Sequence, residues 1–120
     1  MSRFESFDEV QQAVEEAGGF LVCSMASLRD AVGWERLTYR ATNQIRHELN
    51  QRDLDYYPNP LPDATMGRSS LVRIVAQGTI IHKIIRAINA PSGHGDHILK
   101  NVAKSYRDGT LQISTFTQTY

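Results

Sequence analysis

The side chains best equipped for chemistry cluster in one stretch, ERLTYRATNQIRHELNQR, which spans residues 35–52. Arg36, Arg40, Asn43 and His47 recur at three- and four-residue spacings, so a helix would present them on one face. Tyr39, Thr42 and Arg46 lie beside that face, and Thr38 flanks it. These types suit the edges of nucleic-acid bases. Arginine takes guanine with two parallel hydrogen bonds, asparagine takes adenine, and threonine touches thymine methyls or phosphate. On such a helix Tyr39, Thr42 and Arg46 are placed for phosphates at the groove walls. The alternative is an ordinary solvated helix face. The absence of a carboxylate at the centre of the face and its cationic character favour nucleic acid.

A second candidate follows in Gly67-Arg68-Ser69-Ser70, which would set Arg68 in a minor groove with the Ser69 hydroxyl on phosphate. Asp63 opposes this by repelling phosphate, and a plain surface loop is the competing reading. The run GHGDH brings His94, Asp96 and His97 together, but three ligand types in one turn converge poorly on a metal. Asp96 reads instead as a helix cap. His82 sits among basic neighbours. Cys23 lies in the apolar run FLVC and reads as a buried, unreactive thiol. Glu15 and Glu16 are adjacent on an acidic helix, where solvation explains them. There is no phosphate-binding loop, no GxSxG elbow and no HExxH pair. The expectation is a non-enzyme with no catalytic residue, cofactor or metal.

The elements that must position these groups follow from pattern. The chain has 120 residues, 41% hydrophobic and 22% charged, which suits one globular domain. A single cysteine excludes an intrachain disulfide. The N-terminal MSRFESFDEV lacks the apolar core of a signal peptide, and no apolar run reaches the roughly 20 residues of a membrane span, so a cytoplasmic location is expected. Formal net charge is zero but unevenly spread. Residues 1–33 carry two basic against six acidic side chains, and residues 53–70 one against three. Residues 34–52 carry four against two, and residues 71–120 six against two. Positive charge therefore collects on the long helix and the C-terminal half.

Ser6 or Asp8 can cap a first helix whose apolar side is Phe7, Val10, Val14 and Ala17, ended by Gly18-Gly19. Phe20 to Cys23 reads as a short buried strand. A helix ASLRDAVG follows, with Ser27 as a possible cap, and then a tight turn at Gly33-Trp34. The long helix runs from Leu37 to Arg52, with Leu37, Ala41, Ile45 and Leu49 inward. LDYYP is a strand, and the proline-rich segment Pro58 to Ser70 is a loop. Leu71 to Ala76 alternates as a strand. Gly78-Thr79 then opens a helix IIHKIIRAIN with a stripe of Ile80, Ile81, Ile84, Ile85 and Ile88. A last helix is expected from Asp96 to Arg107 with Ile98, Leu99, Val102 and Tyr106 inward. The tail TLQISTFTQTY is a strand or a loose end.

Helix, strand, helix, turn, helix, strand, loop, strand resembles the winged helix-turn-helix superfamily over Phe4 to about Gln77. The likeness rests on element order, helix lengths and the polar face, without a residue-specific motif. It implies a mainly α protein with a small antiparallel sheet (α+β), forming one domain over 1–120: a winged-helix core over 4–77 and a helical extension and tail over 78–120. It also implies a double-stranded DNA-binding transcriptional regulator with Leu37–Arg52 in the major groove. The isoleucine stripe is either a cap on that core or a homodimer surface, which would supply two half-sites. The rival reading is a protein-interaction module, an adaptor or a phage or mobile-element factor that binds a host protein. Its working surface would be the acidic first helix or the isoleucine stripe.

Overall fold

The computed structural model describes residues 4–62 and 69–109. The fold is α+β: α1 (Phe7–Glu16), β1 (Phe20–Ser24), α2 (Met25–Ala31), α3 (Tyr39–Gln51), β2 (Leu54–Tyr57), β3 (Leu71–Ala76), α4 (Ile80–Asn89) and α5 (Gly93–Arg107). The chain divides into two compact units, residues 1–81 and 82–120, the division falling within α4.

In the first unit, α1 starts where the Ser6 hydroxyl accepts from the Glu9 N–H at 3.4 Å, while the Glu9 carboxylate accepts from the Glu5 N–H at 2.9 Å. Phe7, Val10 and Val14 face inward. The helix stops at Gly18 and Gly19, whose φ angles of 80° and 97° lie where a side chain is strained. Gly19 has a second reason to lack a side chain: a Cβ there would lie 2.5 Å from the Thr79 methyl.

The sheet has the order β1-β3-β2 with both pairings antiparallel. The strand before α2 thus pairs with the second strand of the hairpin, as element order predicts. Val72 and Ile74 of β3, with Leu54 and Tyr56 of β2, face a core completed by Phe4, Phe7, Val10, Val14, Met25, Leu28, Ile45 and Leu49. The expectation of a buried strand at Phe20–Cys23 needs correction. β1 is an edge strand, and only Leu21 and Cys23 pack against the core, whereas Phe20 and Val22 stay 37% and 45% exposed. Four apolar residues in a row look the same whether one face or two are covered, because burial depends on neighbouring elements.

β1 runs directly into α2. The cap is Ser24, whose hydroxyl accepts from the Ser27 N–H at 3.1 Å, and not Ser27 itself. Ser27 is buried inside the helix, its hydroxyl 3.1 Å from that of Ser24. The helix begins earlier than expected because the strand's last rung, Met25 N–H to the Ser70 carbonyl, is also its first turn.

In the second unit, Ser92 caps α5 by accepting from the Gly95 N–H at 2.9 Å. The helix therefore starts at Gly93, and Asp96 lies in its first turn, where a carboxylate favours the positive end of the helix dipole. Gly95 lets α5 approach α4: a Cβ there would sit 3.1 Å from Ala87. Ile98, Leu99, Val102 and Ser105 are half-buried, but Tyr106 is 60% exposed and not inward. Strict four-residue steps drift around a 3.6-residue helix, so the stripe passes through Ser105. Along α4, Ile84 and Ile85 are half-buried, while Ile80, Ile81 and Ile88 are exposed. Residues 110–120 lie outside the described residues.

Candidate nucleic-acid interface

α2 and α3 are joined by Val32 to Thr38, a longer connection than the expected turn at Gly33-Trp34. Gly33 takes a φ of 78°, and its N–H reaches the Asp30 carbonyl at 3.0 Å. The Trp34 indole N–H donates to the Gln44 side chain at 2.8 Å, tying the connection to α3.

α3 begins at Tyr39 because Thr38 is its cap, accepting from the Ala41 N–H at 3.2 Å. Leu37 and Arg36 precede the helix. Leu37 still packs against the core, and Arg36 is exposed in the bend. Ala41, Ile45 and Leu49 are fully buried, which fixes the rotation of the helix. Tyr39, Arg40, Arg46 and His47 are exposed in consequence, and Asn43 and Thr42 are half-buried. Tyr39 is 77% exposed. The first turn of α3 has no acidic residue, so its positive dipole end is uncompensated beside Tyr39 and Arg40.

The hydroxyls are less available than the sequence suggests. Thr38 serves the cap, and the Thr42 hydroxyl donates to the Thr38 carbonyl at 3.0 Å. Asn43 and Arg46 are coupled: the guanidinium donates to the amide oxygen at 3.0 Å. The two form one polar unit in place of two separate contacts.

Arg52 shows what a charge count misses. It closes α3, donates to Asp8 at 2.7 Å, to Gln11 at 2.9 Å and to Glu48 at 3.2 Å, and stacks over the Phe7 ring at 5.7 Å. The hydrogen bond to Asp8 heads the causes that push its pKa above the ordinary arginine value. Arg52 therefore joins α3 to α1, and part of the local positive charge is neutralised. Asp8 lies far from Arg52 in sequence, so only a hint existed in their opposite signs.

In the loop between β2 and β3, Leu61 and Pro62 are buried and Ser69 is exposed. Arg68 and Asp63 lie outside the described residues. The other candidates do not assemble. Among the described residues no group of three His, Cys, Asp or Glu side chains is placed to hold a metal ion. An open cleft of about 330 Å³ in the second unit is lined by Lys83, Arg86 and His94 among others, but not by His82 or His97. His82 is buried, and His97 lies 3.3 Å from Asn101 on the surface of α5. Cys23 is half-buried, and desolvation pushes its thiol up to about 12. Among the described residues no helix is long and apolar enough to cross a membrane.

No protein-family model matches the chain, and no curated protein or solved structure matches it significantly.

Proposed function

We propose that this chain is a winged-helix protein that binds double-stranded DNA as a transcriptional regulator, with α3 entering the major groove. The observation that carries the reading is the outward face of α3. Tyr39, Arg40, Asn43, Arg46 and His47 stand on a helix whose opposite face is locked by three fully buried residues. The order α1-β1-α2-α3-β2-β3, with β1 beside β3, supports a winged-helix arrangement. The loop of residues 58–70 is then the wing.

In this reading Arg40, His47 and the Asn43–Arg46 unit address base edges. Tyr39 and Arg36 hold phosphates at the start of the helix, assisted by its dipole. Thr38 and Thr42 act mainly by fixing the first turn. Arg68 and Ser69 are assigned to the adjacent minor groove. Zero net charge limits the non-specific component, so affinity is moderate, depends on orientation and falls with salt in proportion to the few phosphates contacted.

The test is a fluorescence titration of labelled duplex DNA at low and moderate salt. Arg40→Ala is expected to cost about 1–3 kcal/mol and to relax base preference. Arg36→Ala should weaken all sequences alike and reduce the salt slope by about one. Absence of any salt-sensitive binding at low ionic strength would remove the proposal.

The exposed Ile80, Ile81 and Ile88 favour a second reading, a module that docks a protein through α4. It is separated from the first by the same titration, since it requires no DNA affinity, and by recovery of a stoichiometric partner that Ile88→Lys releases.

A further inference from the structure

The cleft of about 330 Å³ between α4 and α5 lies wholly within the second unit. Its polar side chains are Lys83 and Arg86 from α4, Ser92 from the connection and His94 from α5, and no carboxylate lines it. Lys83 and Arg86 are three residues apart and so share one side of α4. Among the described residues neither forms an ion pair, and the His94 ring has no hydrogen-bond partner. The surrounding unit is basic as well: residues 82–109 carry five Lys and Arg against Asp96 and Asp108, and Asp108 accepts from Arg107.

Helix stability accounts for part of this. Arg86 lies in the last turn of α4, where a cation offsets the negative end of the dipole. Lys83 lies a turn earlier and serves no such end. His94 stands in the first turn of α5, where anions are favoured and cations are not. Ser92 takes the N–H groups of Gly95 and Asp96 through its hydroxyl and its carbonyl, so those of Gly93 and His94 remain as donors at the same helix end. An anion in the cleft would balance Lys83 and Arg86 and accept from His94, whose ring carries an N–H in either protonation state.

The remainder of the lining is apolar: Ala87, Ala90 and Ile98. A few polar groups on an apolar wall, in a volume of roughly 300 Å³ or more, is the make-up of a small-molecule site. A bare ion would leave the apolar wall unused. Two neighbouring side-chain cations match the double charge of a phosphate monoester better than the single charge of a carboxylate.

We infer that this cleft binds a small organic phosphate. Lys83, Arg86 and the His94 ring hold the phosphate, and the organic part lies against Ala87, Ala90 and Ile98. The site rests on nothing proposed for α3, so either reading can fail alone.

The experiment titrates the full chain with phenyl phosphate and follows the backbone amide resonances. Saturable binding with a Kd of about 1 mM or tighter is expected, with the largest shifts at Ala87, His94 and Gly95. Lys83→Ala and Arg86→Ala should each weaken it at least about tenfold, with unchanged circular dichroism because both side chains are exposed. Lys100→Ala, which removes an exposed cation of α5 outside the cleft, should leave it unchanged. Benzoate and inorganic phosphate each keep one part of the probe and should bind more weakly. Location of the shifts in the unsubstituted chain keeps the test decisive if a variant misfolds. No saturable binding up to about 10 mM phenyl phosphate overturns the inference. So do shifts confined to residues outside α4 and α5, a loss in Lys100→Ala equal to that in Lys83→Ala, or equal affinity for benzoate or inorganic phosphate. Shifts at His94 and Gly95 with duplex DNA but not with phenyl phosphate would assign the cleft to a polymer backbone and overturn it too.

Discussion

Two amphipathic helices in this chain have opposite fates. α3 carries a modest apolar stripe of Ala41, Ile45 and Leu49, and all of it is buried. α4 carries five isoleucines, and three of them remain exposed. The large, fully buried side chains all fall in residues 1–81: Val10, Val14, Met25, Leu28, Ile45, Leu49, Val72, Ile74 and Val75. Among the described residues 82–109 only His82, Ala87 and Gly95 are buried. An apolar stripe becomes a core only when a second layer covers it. In the first unit helices and sheet provide that layer. In the second, α4 and α5 approach each other at two of the smallest residues, Ala87 and Gly95, and the isoleucines of α4 are at most half-buried.

The sharpest way to break this comparison is to truncate one isoleucine from each helix. Ile45→Ala is expected to lose about 3–4 kcal/mol of unfolding free energy in urea titrations, from the lost transfer term and the cavity. Ile88→Ala should change it by less than about 0.5 kcal/mol. Comparable losses would mean that α4 belongs to the same cooperative core as α3.

Helix caps sharpen it further. Thr38→Ala removes an acceptor from the Ala41 N–H and should cost about 1 kcal/mol of global stability. Ser92→Ala removes the equivalent bond to the Gly95 N–H. Its effect is expected chiefly as faster amide exchange in the first turn of α5, with the urea midpoint nearly unmoved.

Cys23 gives the smallest effect at neutral pH. Burial pushes its folded pKa from the ordinary 9.0 up to about 12. The protonated thiol is thus favoured by folding. Stability from this group is fully present below pH 9.0 and declines as pH rises towards about 12, where the unfolded chain has already ionised. Alkylation at pH 8 should proceed at least about a hundredfold faster in denaturant than in the native chain, as thiolate population dictates. Equal rates would show that β1 opens readily.

Much of the fold is visible in local pattern. The four-residue repeat of Ala41, Ile45 and Leu49, the alternation of Leu71 to Ala76 and the Gly18-Gly19 stop each rest on contacts within a few residues, and each element lies close to where periodicity locates it, although α3 starts at Tyr39 and not at Leu37. The outward side chains of the candidate interface follow from the same repeat. Caps were less legible. Ser24 and Ser92 are the caps, where the sequence pointed to Ser27 and Asp96, because the choice depends on where the preceding strand or turn releases the chain.

The sequence by itself determined the elements, their order and the rotation of α3, since helical and strand periods are properties of short segments. Tertiary structure alone decided three other things. It made β1 an edge, because exposure depends on which strands pair. It neutralised Arg52, because Asp8 and Phe7 reach it only when α1 and α3 pack together. It left Ile80, Ile81 and Ile88 uncovered, because burial is a relation between surfaces and no single helix can supply both.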